Sequence, residues 1–213
     1  MGTYPEKMTT REKILDCAIN LFSEKGYTET SVRELAMAVG VKEASIYNHF
    51  PSKNAIFECI LDDFTQFLQN FFNKEKIDAI TKNPTAEGIL SCMPLIFPEG
   101  RQEHFRKILF VILQEQHRNT TARTFITEEL ILGTEKVLIT IIDSLKDSGI
   151  LQPGINAEFW ARLHSSIIYT FTSRSLLGIG YKAPGFSRLG LTTLLRDLYN
   201  MMFTMCSTNN DTL

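Results

Sequence analysis

The stretch GVKEASIYNHFPSK, residues 40–53, decides how the rest of the chain is interpreted. Its apolar side chains are few, chiefly Val41, Ile46 and Phe50, so a helix formed here has little with which to pack on a core. Pro51 ends such a helix, because its ring clashes with the preceding turn and it has no amide hydrogen. The segment therefore predicts a short helix whose polar surface faces away from the protein interior.

Helix signals surround this segment. Thr9 or Thr10 can cap a first helix, which ends at Gly26, a residue suited to the left-handed position after a last turn. Residues 31–34, SVRE, form a capping box that begins a second helix. Gly40 then allows a tight turn into the third helix, so the sequence predicts a helix-turn-helix.

The remaining sequence also has the spacing of helices. Apolar residues from Lys53 onward recur every three to four positions, and loops rich in Gly, Pro and Asn separate the segments. After a long fourth helix, further helices are expected near residues 85–97, 102–117, 122–147, 156–177 and 187–206. The predicted fold is all-α: an N-terminal three-helix helix-turn-helix domain, 1–55, a larger helical domain, 56–206, and a polar tail, 207–213.

Composition limits the classes of function. The 213 residues carry a net charge of −2, and residues 1–55 contain seven basic and seven acidic side chains. Binding to nucleic acid would therefore depend on a local patch and not on net charge. We find no apolar run of the ~20 residues that span a bilayer and no signal peptide. Four widely spaced cysteines suit a reducing compartment. The expected location is cytoplasmic, with no membrane partner.

The motifs of catalysis are missing from the sequence. It contains no HExxH, GxSxG, P-loop or GxGxxG pattern, and its four histidines have no metal-ligand spacing to cysteines or carboxylates. The interpretation is a protein that is not an enzyme and that needs no cofactor and no metal.

Residues 9–56 resemble the DNA-binding domain of the tetracycline-repressor (TetR) family of bacterial regulators. The matching positions are Gly26-Tyr27, Thr30-Ser31-Val32, Leu35-Ala36, Val39-Gly40-Val41, Ile46-Tyr47, His49-Phe50 and Ser52-Lys53. The resemblance implies a dimeric transcriptional regulator, expected to be a repressor that a ligand releases from a pseudo-palindromic operator. Lys42 and Ala44 depart from the Ser or Thr and the Gly that are common in the family, which leaves the operator sequence open.

The resemblance and the chemistry of the side chains suggest two groups of DNA-contacting residues. Hydroxyl, imidazole and ammonium groups and helix N-termini can bind phosphate; the candidates are Thr30, Ser31, Lys42, Ser45, Tyr47, His49 and Lys53. Asn can pair with adenine, Glu can accept from cytosine and Ala can touch a thymine methyl; the candidate base readers are Glu43, Ala44 and Asn48. Taken alone, Tyr47 could equally be a core aromatic, and Glu43 could repel phosphate.

The larger domain resembles the family in its layout. The family pattern implies a four-helix dimer interface built from the last two helices; the candidates are Ile167, Phe171, Leu191, Leu195, Leu198 and Met202. It also implies a pocket for a small molecule, expected here to be lipophilic; the candidates are Phe67, Phe110, Gln114 and His164. Any of these residues could instead belong simply to the core.

A different class of function fits the same sequence. A helical assembly protein could keep a helix-turn-helix that no longer binds DNA. Binding to duplex DNA that weakens with salt would distinguish a regulator from such a protein.

Overall fold

The computed structural model describes residues 8–71, 74–91, 102–176 and 188–207, and it confirms the all-α prediction. The helices of these residues are α1 (Thr10–Lys25), α2 (Val32–Val39), α3 (Glu43–Tyr47), α4 (Lys53–Phe71), α5 (Lys74–Lys82), α6 (Ala86–Ser91), α7 (Gln102–Glu115), α8 (Thr120–Phe125), a π-helical segment (Ile126–Gly133), α9 (Thr134–Asp147), α10 (Ala157–Leu176) and α11 (Arg188–Cys206). None of these helices is both long and apolar enough to cross a membrane.

The first helices begin and end where the local signals place them. Thr9 and Ser31 cap α1 and α2, and in each case a glutamate three residues later bonds back to complete a capping box. Gly26 and Gly40 follow the two helices with φ of 94° and 80°. An L-residue rarely adopts such angles, so glycine is the residue that lets the chain turn directly into the next element.

Two compact units make up the chain. The first contains α1–α3, α4 as far as Phe67, α7 and α8; the second contains α4 from Leu68, α5, α6, the π-helical segment after Ile126, and α9–α11. In the first unit α7 packs on α1, and Lys107 Nζ donates to Asn20 Oδ1 at 2.7 Å. The first unit thus extends beyond residue 55, where the sequence analysis places the domain boundary.

Aromatic side chains form much of the first unit's interior. Phe22 and Phe57 are each 1% exposed, and Tyr27 packs against both, with ring centroids 5.2 Å and 5.0 Å away. Elsewhere in the unit, Phe64 stacks on Phe105 at 5.4 Å. These contacts hold α4 against α1 and α7.

The second unit has its own core, and this core corrects part of the predicted dimer interface. Four of the six candidates are buried in it: Leu191, Leu195, Leu198 and Met202. Since their side chains pack on their own unit, they have no surface to offer to a second copy. Ile167 and Phe171 lie at the edge of the same core and are partly buried. Among the described side chains of α11, the large apolar ones that are exposed are instead Leu194, Met201 and Met205.

Some helix boundaries differ from the predicted ones. The segment predicted as one helix at 122–147 is α8, the π-helical segment and α9 in unbroken succession. Helix α5 was not predicted, because residues 68–76 contain no glycine or proline that would mark its start. Of the helix expected at 85–97, residues 92–97 lie outside the described residues, as do 208–213 of the predicted tail.

One histidine is buried in the second unit's core. His164 is 0% exposed, and its Nδ1 lies 2.5 Å from the hydroxyl of Tyr199, which is 1% exposed. Among the described residues His164 Nε2 has no hydrogen-bond partner. Burial lowers the pKa of His164 from 6.5 to about 4, so the imidazole is neutral at pH 7.

We expect His164 to make the protein less stable in mild acid. Below about pH 6.5 the unfolded chain protonates this histidine while the folded protein does not, so the free energy of unfolding falls by about 2 kcal/mol between about pH 7 and pH 5. His164→Gln keeps an acceptor for Tyr199 but cannot titrate. Urea unfolding of both proteins at the two pH values measures this; equal losses in the two would contradict the prediction.

Candidate nucleic-acid interface

Helix α3 is attached to the first unit by a small apolar base. Gly40 and Val41 both donate their amides to the Ala36 carbonyl, at 3.0 Å each, which closes the turn after α2. Ile46 is 1% exposed and Phe50 4%, whereas Val41 is half-buried. These anchors fix which side of α3 is turned outward.

The outward side of α3 carries the predicted base readers. Glu43, Ala44 and Asn48 are exposed, and so is His49. Tyr47 is 48% exposed, so it is not the core aromatic that it could have been. Ser45, also predicted to contact phosphate, is half-buried. The polar surface of α3 is therefore free of the protein's own interior, as a helix that enters a groove requires.

The N-terminus of α2 already holds a carboxylate. Glu34 Oε2 accepts from the Ser31 amide at 2.9 Å and from its hydroxyl at 3.0 Å, while Lys25 Nζ lies 2.7 Å from Oε1. The Lys25 hydrogen bond, followed by those from Ser31, lowers the pKa of Glu34 to about 2. Ser31 is exposed, as predicted for a phosphate ligand. A phosphate there would have to displace the Glu34 carboxylate from the Ser31 amide and hydroxyl, or share these donors with it.

Thr30 was predicted to contact phosphate, and its position does not allow that. Its side chain is buried at 1% exposure, and its hydroxyl donates to the Gly26 carbonyl at 2.8 Å. The hydroxyl thus fastens the turn between α1 and α2. The physical reason is that a threonine just before an N-cap can turn inward to satisfy a carbonyl left free at the end of the preceding helix.

Lys53 was likewise predicted to hold phosphate, but its ammonium group points into the protein. Nζ donates to the carbonyls of Tyr27, Thr28 and Thr30 at 2.7, 3.3 and 2.8 Å. An ammonium group has three N–H donors, so these three acceptors use them all. Lys53 joins α4 to the turn before α2 and has no donor left for DNA.

Two other cations remain available near the second and third helices. Arg33 in α2 and Lys42 before α3 are exposed, and neither makes a hydrogen bond or ion pair with the described residues. Lys42 was predicted as a phosphate ligand. Arg33 was not, although its place two residues after the N-cap Ser31 marks it as lying in the first turn of α2.

The predicted pocket residues fall in different units. Phe67, Phe110 and Gln114 belong to the first unit, where Phe67 stacks on Phe105 at 3.8 Å and Gln114 is exposed. His164 belongs to the core of the second unit. Their shared role in a ligand pocket remains a prediction.

The fold and this surface define a helix-turn-helix protein of the all-α class. Residues 14–60 match the model described as "Bacterial regulatory proteins, tetR family". The chain is also 42% identical over 76 residues to IcaR of Staphylococcus aureus, a negative transcriptional regulator of the biofilm operon icaADBC. That match covers 33% of this chain and 41% of IcaR, so the chain spans less than half of this relative's length.

Solved structures extend the likeness beyond these residues. A transcriptional regulator of Saccharomonospora viridis in complex with choline has a TM-score of 0.66 at 18% identity, covering 89% of this chain and 95% of that one. The ketosteroid transcriptional regulator KstR2 of Mycobacterium tuberculosis has a TM-score of 0.62, also at 18% identity, covering 94% of this chain and 96% of that one. At these identities the likeness shows the fold. Residues 14–60 thus match the DNA-binding part of the tetR family, and the chain shares its fold with these solved regulators.

The buried hydroxyl of Thr30 gives a first test of this geometry. We expect Thr30→Val to lower the free energy of unfolding by about 1–2 kcal/mol, because the Gly26 carbonyl loses its buried donor. Thr28→Val is the matched control, since the Thr28 side chain is exposed. Urea denaturation at neutral pH measures both. A Thr30 variant as stable as the Thr28 variant would show that the hydroxyl does not fasten the turn.

Proposed function

We propose that the protein is a transcriptional repressor that binds duplex DNA through α2 and α3. The observation that carries the proposal is the exposure of Glu43, Ala44 and Tyr47 on α3, which buries only Ile46, together with that of Asn48 and His49 directly after it. These groups lie close together on one surface and keep their hydrogen-bonding capacity for a partner. In a major groove they would meet base edges and phosphates.

The contacts follow from the chemistry of each group. Asn48 offers both a donor and an acceptor, as pairing with adenine requires, and Ala44 could touch a thymine methyl. Tyr47 and His49 can donate to phosphate oxygens, and Arg33 and Lys42 supply free positive charge. Glu43 would have to accept from cytosine, because a carboxylate facing phosphate is repelled.

A two-fold homodimer would present two copies of α3 to successive major grooves. The outer faces of α10 and α11 support this, since they expose Phe159, Tyr169, Leu194, Met201 and Met205. On α11 the three exposed residues recur at spacings of seven and four, which places them on one side of the helix. Exposed apolar side chains in such a row are typical of an interface between subunits.

A small effector would control the repressor. The relatives include one solved with choline and one described as a ketosteroid regulator, and we expect a mostly lipophilic molecule here, bound within the helical part of the chain. It would favour a dimer whose two α3 helices no longer fit the operator, so that DNA and effector oppose each other. Such a regulator would act in the cytoplasm and would not be an enzyme.

Selection of bound sites from random duplex DNA tests the function. The unaltered protein should enrich a palindromic motif whose half-sites are about one or more helical turns apart. Binding should weaken steeply as salt rises. A protein that ignores every duplex at low salt would instead be the helical assembly protein considered above.

Asn48→Ala should change base preference more than overall affinity. We expect a loss of about 1–3 kcal/mol at the base pair that Asn48 contacts, with little change at other positions. Lys42→Met is the matched control: it should weaken binding to all sequences alike, because it removes charge and not a base contact. Measuring both variants on a panel of single-base operator variants separates the two effects, and uniform loss in Asn48→Ala would refute its base-reading role.

The proposed dimer is tested by substituting exposed residues of α11, because substitutions of its buried residues would also disturb the core. Leu194→Asp and Met201→Asp should give monomers in sedimentation velocity, because each puts a charge into the proposed interface. Leu132→Asp is the control, since Leu132 is 47% exposed but lies in the π-helical segment. Persistent dimers of both α11 variants would exclude this interface.

A further inference from the structure

The turn between α1 and α2 is fastened to the beginning of α4 from several directions. Besides its three hydrogen bonds to carbonyls, Lys53 Nζ lies 4.5 Å from the centroid of the Tyr27 ring. A cation over an aromatic face at this distance is attracted to it. The Tyr27 hydroxyl also reaches Asn54 Oδ1 at 3.5 Å. The first two residues of α4 thus contact this turn through both side chains.

The charge of Lys53 is compensated inside the protein. Burial lowers its pKa, and the carboxylates of Glu115, Glu29 and Glu34 oppose this shift, although none of them forms an ion pair with it. The ammonium group therefore lies among carbonyl dipoles and near negative charges. This is a poor place for a phosphate, which those carboxylates would repel.

The fastened turn leads directly into the proposed DNA-binding surface. Thr30, whose carbonyl accepts from Lys53, precedes Ser31, the N-cap of α2. Arg33 lies in the first turn of that helix, and α2 in turn packs on α3. A shift of the turn would move the beginning of α2, and with it the groups that we propose meet DNA.

We propose that Lys53 is a positioning residue for DNA binding, which fixes the start of α2 by holding the 27–30 turn against the first turn of α4. This inference rests on the proposed function, but it assigns Lys53 a role different from that of a phosphate ligand. The three carbonyls, the aromatic face of Tyr27 and the nearby carboxylates all argue for it. The affinity for DNA would depend on Lys53 although it touches no DNA.

The salt dependence of DNA binding separates positioning from phosphate contact. A residue that neutralises one phosphate contributes about 0.9 to the slope of log affinity against log salt. We expect Lys53→Met to weaken binding to all sequences about tenfold, the effect of losing the hydrogen bonds of a partly buried charged group, while the slope stays as in the unaltered protein. Lys42→Met is the matched control, and its slope should fall by about 0.9.

Hydrogen exchange provides a readout that needs no DNA. The amides of Ser31 and Glu34 are bonded within the capping box of α2. We expect both to exchange about tenfold faster in Lys53→Met, because the turn before them loosens. The amides of α11 should be unchanged, which shows that the variant is folded. Lys42→Met should leave all of them unchanged.

Lys53→Arg is a second variant that keeps the charge. Arginine is a good phosphate ligand, so a phosphate role predicts affinity like that of the unaltered protein. The planar guanidinium cannot donate to three carbonyls arranged around one nitrogen, so positioning predicts weakened binding with an unchanged slope.

Three results would overturn the inference. They are a slope lowered by about 0.9 in Lys53→Met, affinity like that of the unaltered protein in the folded variant, or unchanged exchange at Ser31 and Glu34. Failure of the unaltered protein to bind any duplex would overturn the proposed function instead. The exchange experiment would then still decide whether Lys53 holds the turn.

Discussion

Helix α3 is held in place by very little apolar surface. It spans Glu43–Tyr47, and Ile46 is its buried residue, with Phe50 just beyond its end. Each buried side chain contributes roughly 1.5–3 kcal/mol, and an isolated helix of this length would not form in water. The helix exists because α2 and the Gly40 turn present it to the core of the first unit. The positions of all polar groups on its outer side therefore depend on these few contacts.

Because α3 has so little apolar surface of its own, its position depends on α2, and many nearby side chains form hydrogen bonds that hold the turn before α2. Lys25 and Ser31 secure the Glu34 carboxylate at the start of α2, and Thr30 and Lys53 satisfy carbonyls of the turn before it. Charged and hydroxyl side chains of the kind that bind DNA are thereby used to hold α2. The positive charge left for phosphate is small, which is consistent with residues 1–55 carrying seven basic and seven acidic side chains.

Sequence signals predicted the first helices well because those signals are local. A capping box and a glycine after the last turn depend on neighbours within four residues, so Thr9, Ser31, Gly26 and Gly40 could be placed without knowing the fold. The same holds for the outward side of α3, since the scarcity of apolar residues there is visible in the sequence. The separate helix α5 could not be placed, because its boundary has no such local marker.

The direction of a long side chain, in contrast, depends on residues distant in sequence. Lys53 meets carbonyls 23 to 26 positions earlier, and no pattern around it distinguishes this from an exposed lysine. Leu194 and Leu195 show the same limit: both lie on one wide apolar face of α11, yet the first is 50% exposed and the second 2%. The spacing of apolar residues identifies such a face. Which part of the face is covered is determined by how the other helices of the second unit pack against α11. The part left uncovered is the surface at which we propose that a second copy binds.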